Sequence, residues 1–491
     1  MDEKTKHPPK SSPPRASNDR IVGLDLSFQG LKSLNSSLFL LPSIKELLLN
    51  NNELESIPKD IYKLKSLERL NLSHNKLRNI PPELGKAVSL KELYLNDNFI
   101  TTIPMELGSL FNLEILNLLN NPLVVPFNSL SRDRSLIHFC RENNTSYSPP
   151  ADRAWIDTVF KKESTDDIIT VGTYNILCNF YASKCTYAPS WVINPDLRRE
   201  NILQNILAYN VDILALQEIE NSSFFDFYRD QLEIRGDYEG IFYPKNRPSA
   251  TVDKKMVDGC ATFWKKGKFK LIETVHVNFF QKIISDSRFS INPDILNRNT
   301  KKENVALITV VEKSLPEGCD SDPIIVVNAH IYWNPEYIDI KLFQVILLIE
   351  EIEKVKQKYK NPSIILMGDF NSLRDSAVYN LILDRKTDGT DFGLFDYSPF
   401  NSGFRHNIRF YDSYKDQDLE FTNFTPAFRD TIDYIFFTDN LNLSGVLSPI
   451  EEEYAEQCVG LPNIHFPSDH IFIGARFGLQ SNAKDVKFLS K

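Results

Sequence analysis

The first quarter of the chain repeats one pattern of apolar and polar positions. The pattern LxxLxLxxNxL starts at Ile21, Ile44, Leu67, Leu90 and Leu113, a period of 23 residues, and its ninth position is Gln29, Asn52, Asn75, Asn98 or Asn121. A helical segment or a coiled coil would instead have a period near 3.6 or 3.5 residues. The pattern predicts a solenoid of stacked repeats, in which the leucines share a core and the asparagines bond backbone groups between repeats.

The pattern changes after these leucine-rich repeats. The run NSLSRDRSLIHFCREN predicts a capping helix, and TSYSPPADRAWIDTVF has the prolines and polar residues of a linker. We therefore predict a disordered arm over 1–20, leucine-rich repeats with a C-terminal cap over 21–145, a linker over 146–166, a second domain over 167–480 and a tail over 481–491.

Short β-branched runs alternate with helical segments in the second domain. The runs are IITVGTYNIL, VDILALQEIE, PIIVVNAH, PSIILMGDF, DTIDYIFF and HIFIGARF, and the clearest helix is IKLFQVILLIEEIEKVKQKYK. This pattern predicts one large domain of the α/β class with a core built on sheets.

Composition narrows the functional classes. No apolar run approaches the roughly 20 residues that a membrane span needs, and the N-terminus carries charge and proline rather than the apolar region of a secretory signal. We therefore expect a protein inside the cell, without a membrane segment.

The six cysteines form no CxxC pair, which predicts free thiols rather than a zinc site. The net charge of the chain is −9, and residues 1–150 are slightly basic, so the acidic excess lies entirely after residue 150. Any nucleic acid would therefore be bound through local contacts and bound cations.

Polar side chains occur at the ends of the predicted strands. Taken singly, each is best explained as a turn former or a helix cap. Together they supply the oxygen ligands that Mg²⁺ or Mn²⁺ prefers, with the histidines and amides that phosphodiester hydrolysis requires. These residues are Asn175, Gln217, Glu218, Asn328, His330, Asp369, Asn371, Asp433, Asp469 and His470.

Several short blocks in this domain resemble a known family. TYNIL, LQEIE, DGCATFWK, NAHIYWNPEYIDIKLFQ, GDFNS, IDYIF and PSDH follow the order of the exonuclease-endonuclease-phosphatase superfamily over residues 165–475. The long NAH block and the preceding repeats resemble the catalytic deadenylases of the Ccr-Not complex. The resemblance implies a leucine-rich-repeat solenoid followed by a four-layer α/β sandwich. It also implies a Mg²⁺-dependent 3′-to-5′ exoribonuclease that removes poly(A) tails from mRNA and releases 5′-AMP.

The resemblance also implies roles for the metal and phosphate site. Glu218 would be the principal metal ligand, with Asp369 and Asp469 as further metal-side acids, for two Mg²⁺ ions that Mn²⁺ can replace. Asp369 would activate the attacking water, and Asn371 would lie by the scissile phosphate. The remaining catalytic residues would be His470 paired with Asp433, and Asn175 and His330 at the phosphate oxygens.

Substrate recognition requires a second set of residues. The resemblance implies that Pro335 and Phe428 sandwich a base, that Asn371 and Asn423 offer amides to its edge, and that Asp253 makes an acidic contact, with Glu218 and His330 completing the set. Phe428 could instead be a core aromatic residue. Some positions depart from the family pattern. Tyr332 and Asn334 stand where a histidine and an acid are common, and Arg429 and Asp430 precede Thr431 where the family often has a lysine and a glycine.

Two other functions remain open. The chain could be another phosphodiesterase of the superfamily, such as a nucleotide or inositol phosphatase or a DNA endonuclease, or an interaction scaffold with an inert nuclease fold. The intact acid and histidine set argues against the scaffold. The resemblance implies poly(A) RNA as one partner, a DEDD-type deadenylase bound to the repeats as another, and a location in cytoplasm and nucleus.

Overall fold

The chain divides into two compact units after Asn144. The computed structural model describes residues 22–130, 135–158, 168–245, 253–315, 321–393 and 400–479. The predicted arm over 1–20 and the predicted tail over 481–491 lie outside these residues. No helix within these ranges combines the length and the apolar character needed to cross a membrane.

The first unit is a five-stranded parallel sheet with a 3₁₀ turn between successive strands. Asn75 shows how the repeats are joined. Its amide nitrogen donates to the carbonyls of Leu49 and Leu72, each at 3.0 Å, and its amide oxygen accepts from the backbone N–H of Leu54 at 3.0 Å. The predicted asparagine ladder is confirmed. The strands are β1 Gly23–Asp25, β2 Glu46–Leu48, β3 Arg69–Asn71, β4 Glu92–Tyr94 and β5 Ile115–Asn117.

Two short helices cover the end of the repeats, α1 Phe127–Leu130 and α2 Ser135–Glu142. Leu136, Ile137 and Cys140 of α2 are buried in the same apolar cluster as the repeat leucines. They close the open end of the core, as the sequence predicted.

The second unit contains two large mixed sheets. The first has the strand order β6-β19-β20-β7-β8-β10-β9, and the second has the order β11-β12-β13-β14-β18-β15. The strands are β6 Trp155–Asp157, β7 Ile168–Asn175, β8 Ile213–Glu220, β9 Tyr238–Pro244, β10 Asp258–Lys265, β11 Phe269–Asn278, β12 Val305–Lys313, β13 Ile324–His330, β14 Ser363–Asp369, β15 Phe410–Asp412, β16 Asn423–Thr425, β17 Phe428–Asp430, β18 Asp433–Thr438, β19 Leu441–Leu447 and β20 Ile473–Leu479.

The sheets pack face to face, with helices on both outer faces. One apolar cluster joins the facing strands through Val171, Ile213, Val326 and Ile365. The predicted four-layer α/β sandwich is confirmed. The helices are α3 Asn179–Ala182, α4 Pro195–Tyr209, α5 Asn221–Ser223, α6 Arg229–Gly236, α7 Phe279–Ser285, α8 Ser287–Ser290, α9 Pro293–Asn299, α10 Ile338–Lys356, α11 Ala377–Asp384 and α12 Glu452–Gln457, and a π-helical turn over Phe224–Tyr228 joins α5 to α6.

The segment predicted as a linker, 146–166, differs from that prediction over its described residues. Strand β6 pairs with β19 at the edge of the first sheet. The guanidinium of Arg153 donates to the carbonyls of Ser448 at 2.6 Å and Phe472 at 2.5 Å. Residues 153–157 therefore belong to the second unit. The local sequence with its proline pair does not predict strand β6, because pairing at the edge of a sheet depends on a partner strand that lies almost 300 residues later in the chain.

Candidate active site

Three predicted site residues form a row across adjacent strands. Strands β13 and β14 are parallel and place His330 opposite Asp369, and the antiparallel pair of β14 and β18 places Asp369 opposite Asp433. Side chains at one level of neighbouring strands point to the same face of a sheet. The strand register therefore brings together residues that are about 40 to 100 positions apart in the chain.

Glu218 reaches the same place from the other sheet. Its neighbours Gln217 and Ile219 pair with Cys260 and Gly259, so Glu218 is the extra residue of a β-bulge, with a left-handed φ of 58°. A bulge redirects the side chain of the extra residue. Asn175 then links the sheets, because its amide nitrogen lies 3.0 Å from Asp369 Oδ2 and 3.4 Å from Glu218 Oε1.

His470 and Asp433 form a buried pair. Nδ1 of His470 lies 2.8 Å from Asp433 Oδ2. Burial alone would lower the pKa of His470, but the carboxylates of Asp433, Asp469 and Asp369 outweigh it and hold this pKa well above its usual value. This raised pKa favours the imidazolium form of His470, and its Nε2 is turned towards Asp369, 3.8 Å from Oδ2.

The Asp369 carboxylate lies at the centre of the site. Nε2 of His330 is 3.7 Å from Oδ2 of Asp369, and the backbone N–H of Asn371 donates to Oδ1 at 2.8 Å. Burial and the neighbouring Asp433 raise the pKa of Asp369, partly opposed by His470. Burial, with help from Lys245 and His470, lowers the pKa of His330 well below its usual range, so His330 is neutral.

These residues border one cavity of about 740 Å³. The predicted substrate residues Pro335 and Phe428 line it and are exposed, with 38% of Phe428 accessible. Phe428 is therefore not a core residue. The amide of Asn423 donates to Asp469 Oδ2 at 3.2 Å. The predicted residues that line the cavity are Glu218, His330, Pro335, Asp369, Asn371, Asn423, Phe428, Asp469 and His470, and Asn175 and Asp433 lie directly behind them.

Known protein families and curated relatives match both units of this chain. The Endonuclease/Exonuclease/phosphatase family model matches residues 172–470, and leucine-rich-repeat models match 20–77 and 89–110. An Encephalitozoon cuniculi protein named "Probable CCR4-Not complex 3'-5'-exoribonuclease subunit Ccr4" is 58% identical over 93% of this chain and 92% of its own length. A Vairimorpha ceranae protein of the same name is 54% identical over 94% and 95%. The chain belongs to the Ccr4 family of 3′-5′-exoribonucleases.

A solved structure supports the fold of the second unit. ANGEL2, a 2',3'-cyclic phosphatase, in complex with adenosine-2',3'-vanadate, aligns with a TM-score of 0.55 and 25% identity over 67% of this chain and 99% of that chain. The family, the fold and the enzyme class predicted for this Ccr4-family chain are confirmed.

The chemistry of the site fits a divalent cation. Burial raises the pKa of Glu218, and the nearby carboxylates of Asp258 and Asp469 raise it further. A bound cation would relieve this repulsion, and carboxylate oxygens suit a hard ion. Within the described residues, the one tight ligand group comprises Asp369, Asp433 and His470, with ligand atoms within 4.8 Å of one another. Because Asp433 is hydrogen-bonded to His470, we regard that group as an acid–histidine pair beside Asp369, and the assignment of metal to Glu218, Asp369 and Asp469 stays a prediction.

Asp253 is the predicted site residue that the structure does not bring to the cavity. It is exposed, and its carboxylate accepts a hydrogen bond from the backbone N–H of Lys255 at 3.0 Å, which caps a 3₁₀ turn. That local bond accounts for an aspartate at this position.

Two lysines of the cavity were not identified from the sequence. Lys245 is buried, and its ammonium lies 2.5 Å from Asp258 Oδ2, beside Glu218. Lys341 of α10 is also buried and donates to the backbone carbonyl of Asn371, and burial lowers its pKa to about 8. Lys341 thus fixes the loop that follows Asp369. The only sequence signal was its place in the DIKLFQ block.

Proposed function

We propose that the chain is a Mg²⁺-dependent 3′-to-5′ exoribonuclease that shortens the poly(A) tails of mRNA and releases 5′-AMP as the catalytic subunit of a Ccr4-Not complex. One observation carries this proposal. The acid, amide and histidine set is undamaged and borders a single cavity with the exposed Pro335 and Phe428. An inert scaffold would not need buried carboxylates with raised pKa values, which cost stability unless they serve a function.

The residues of the chain supply the groups for an in-line displacement. Water attacks the phosphorus of the last linkage, and Asp369 accepts its proton, because its carboxylate lies at the centre of the site beside His330 and His470. The P–O3′ bond breaks, the 3′-oxygen takes up a proton from solvent, and 5′-AMP leaves. His470 donates from Nε2 to a phosphate oxygen, and neutral His330 and the Asn175 amide hold the phosphate and the base carboxylate in place.

The metal is Mg²⁺ in this proposal, bound as two ions by Glu218, Asp369 and Asp469, with Mn²⁺ as a substitute. When bound, it supplies Lewis acidity and neutralises phosphate charge.

In this proposal, adenine preference comes from residues that line the same cavity beside the acids. Stacking between Pro335 and Phe428 is sequence-tolerant and contributes about 1–3 kcal/mol. Hydrogen bonding from the amides of Asn371 and Asn423 discriminates between bases. Phe428→Ala should therefore weaken binding of every RNA, whereas Asn423→Ala should reduce the preference for A.

The repeats bind protein in this proposal. The partner is a DEDD-type deadenylase of the complex, and the chain acts in cytoplasm and nucleus. Exposed side chains of the repeat strands, such as Ile115, which is 42% exposed, supply apolar area for such an interface. Ile115→Glu should abolish copurification with the partner while leaving RNA cleavage by the purified chain unchanged.

The test uses 5′-labelled RNAs ending in A20, in U20 or in a 2′,3′-cyclic phosphate, with Mg²⁺, with Mn²⁺ and with chelator, alongside Glu218→Ala. We expect stepwise shortening that stops at the end of the A tract and disappears in the variant. Equal loss of U20 would exclude the adenine pocket. Removal of the cyclic phosphate alone would favour a phosphatase, and cleavage with chelator present would exclude the metal.

A further inference from the structure

The cavity has an edge that the catalytic residues leave unused. Four lysines line the cavity among the described residues, and two of them are buried and already engaged, Lys245 with Asp258 and Lys341 with a backbone carbonyl. Lys301 and Lys302 remain, at the entry to β12. Trp333, which is 63% exposed, lines the same cavity.

Lys302 is held in place by aromatic rings. Its ammonium donates to the Tyr332 hydroxyl at 2.7 Å and lies 4.3 Å and 4.6 Å from the ring centroids of Tyr332 and Tyr337. Within the described residues no carboxylate lies close enough to form an ion pair with it. An ammonium has three N–H groups, so Lys302 can still bind an anion. Tyr332 is one of the positions that depart from the family pattern.

This edge is fixed to the catalytic centre by backbone contacts. The Asn304 side chain donates to the carbonyl of His330 at 3.0 Å, and the Asn371 side chain donates to the carbonyl of Ile331 at 3.0 Å. Gln344 accepts from the backbone N–H of Tyr332 at 2.9 Å. The backbone that carries Tyr332 and Trp333 therefore has a set position relative to the residues that act on the scissile phosphate, and Lys302 is tied to it through the Tyr332 hydroxyl.

We propose that Lys302, Tyr332 and Trp333 form an upstream subsite for the nucleotide on the 5′ side of the scissile linkage. Lys302 and the Tyr332 hydroxyl contact the phosphate of the second linkage from the 3′ end, and Trp333 stacks on the base. A polymer held by its 3′ end must leave the cavity across an edge, and this edge offers an available cation beside an exposed indole, the pair that binds single-stranded nucleic acid elsewhere. The proposal rests on the proposed RNA substrate.

The test is a cycle between protein variant and substrate linkage. Wild type, Lys302→Met and the control Lys270→Met, an exposed lysine of β11, are assayed on A20 RNA. The RNA is either unmodified, or carries one uncharged methylphosphonate at the second linkage from the 3′ end or at the eighth. Removal of the first nucleotide is measured, and KM and kcat are separated.

We expect Lys302→Met to raise KM about tenfold, with kcat changed less than twofold, because a charge-assisted contact is lost. The methylphosphonate at the second linkage should raise the wild-type KM by the same factor and should have no further effect on the variant. RNA with the methylphosphonate at the eighth linkage should give the same KM as unmodified RNA, and Lys270→Met should give the same KM as wild type. Trp333→Ala should raise KM at least about fivefold with intact RNA and have no effect when the penultimate nucleotide is abasic.

Two results would overturn the subsite. In the first, the KM increases caused by Lys302→Met and by the modified second linkage would be independent and would multiply. In the second, Lys302→Met would lower kcat at constant KM. Either result would show that Lys302 only stabilises the loop. If wild type shortens no RNA, the exoribonuclease proposal fails, and the same cycle measured as Kd for fluorescent A20 decides the subsite by itself.

Discussion

The pair formed by His470 and Asp433 gives the sharpest prediction about catalysis. Asp433 is only 2% exposed, and among the neighbouring charges its carboxylate contributes most to raising the pKa of the buried His470. In Asp433→Asn the shape is conserved, but that charge is lost. Burial then lowers the pKa of His470, and the neutral imidazole loses the positive charge that it would present to the phosphate.

The size of the effect follows from the role. A positioned acid or base contributes about 10²–10⁴-fold to rate, so we expect kcat to fall at least 10²-fold, about 3 kcal/mol in activation free energy, with KM little changed. The raised pKa of His470 sets the alkaline side of the pH profile, so wild-type activity is lost as pH rises through that pKa. The acidic side is set by Asp369, which must be ionised to act as the base. In the variant the loss on the alkaline side should occur at lower pH.

The assay is single-turnover cleavage of A20 RNA across pH, with the double variant Asp433→Asn/His470→Gln included. Because Asp433 acts through His470, the double variant should be no slower than His470→Gln alone. Asp412→Asn, a buried acid of β15 outside the cavity, controls for loss of a buried charge and should retain wild-type kcat. The assigned role would be refuted if the double variant were slower than His470→Gln alone, or if Asp433→Asn lowered the rate less than tenfold.

Three further predictions concern the fold. Asn75→Ala removes a buried amide that bonds four backbone groups, and unmade buried hydrogen bonds should cost about 2–5 kcal/mol, measured by hydrogen exchange across the repeats. Gly368→Ala should reduce kcat/KM at least about 10²-fold, because a Cβ there would lie 2.0 Å from the Ala329 carbonyl and would push β13 from β14. Burial lowers the pKa of His406 below 6.5, so the unfolded chain binds a proton at this residue first as pH falls, and the contribution of His406 to the free energy of unfolding should decrease from pH 7 to 5.5 by at most about 1.4 kcal/mol per pH unit.

Each of these has a matched control. Lys76→Ala, at an exposed site of the same repeat, should leave hydrogen exchange unchanged, and equal loss from both variants would discount the ladder. Gly267→Ala meets nothing closer than 3.6 Å, so wild-type activity is expected, and full activity of Gly368→Ala would mean that the strands can separate. His406→Gln keeps a donor for the carbonyl that His406 contacts, and it should flatten the pH dependence in urea titrations followed by tryptophan fluorescence; an unchanged slope would assign that dependence to other groups.

The sequence predicted the repeats and the site acids for a common physical reason. Both depend on short periodic runs, in which the position of a polar residue relative to apolar neighbours fixes where its side chain points. Gln217 and Asn328 show the limit of that reasoning. They also end apolar runs, but they lie between the sheets and do not line the cavity, and the Gln217 amide donates to Asn328 Oδ1 at 2.8 Å. Their role is to join the layers.

The residues that the sequence did not reveal owe their roles to tertiary placement. In a chain with 56 lysines and arginines, neither Lys245 nor Lys341 has a local signal, since burial beside Asp258 or the Asn371 loop appears only once the sheets have packed. The edge strand Trp155–Asp157 and the bulge at Glu218 likewise depend on partner strands that are remote in sequence.

The row formed by His330, Asp369 and Asp433 has a consequence for how such an enzyme can vary. Because neighbours along a strand face opposite sides, inserting or deleting one residue within β13, β14 or β18 would turn the reactive group of that strand into the wrong layer. Substitutions of residues that neighbour this row can be accommodated by repacking of side chains, but a change in the length of one of these strands cannot. Variation in chain length among active relatives should therefore be confined to the loops, and an intact residue count between Ile324 and His330, Ser363 and Asp369, and Asp433 and Thr438 would be a better indicator of retained activity than overall identity.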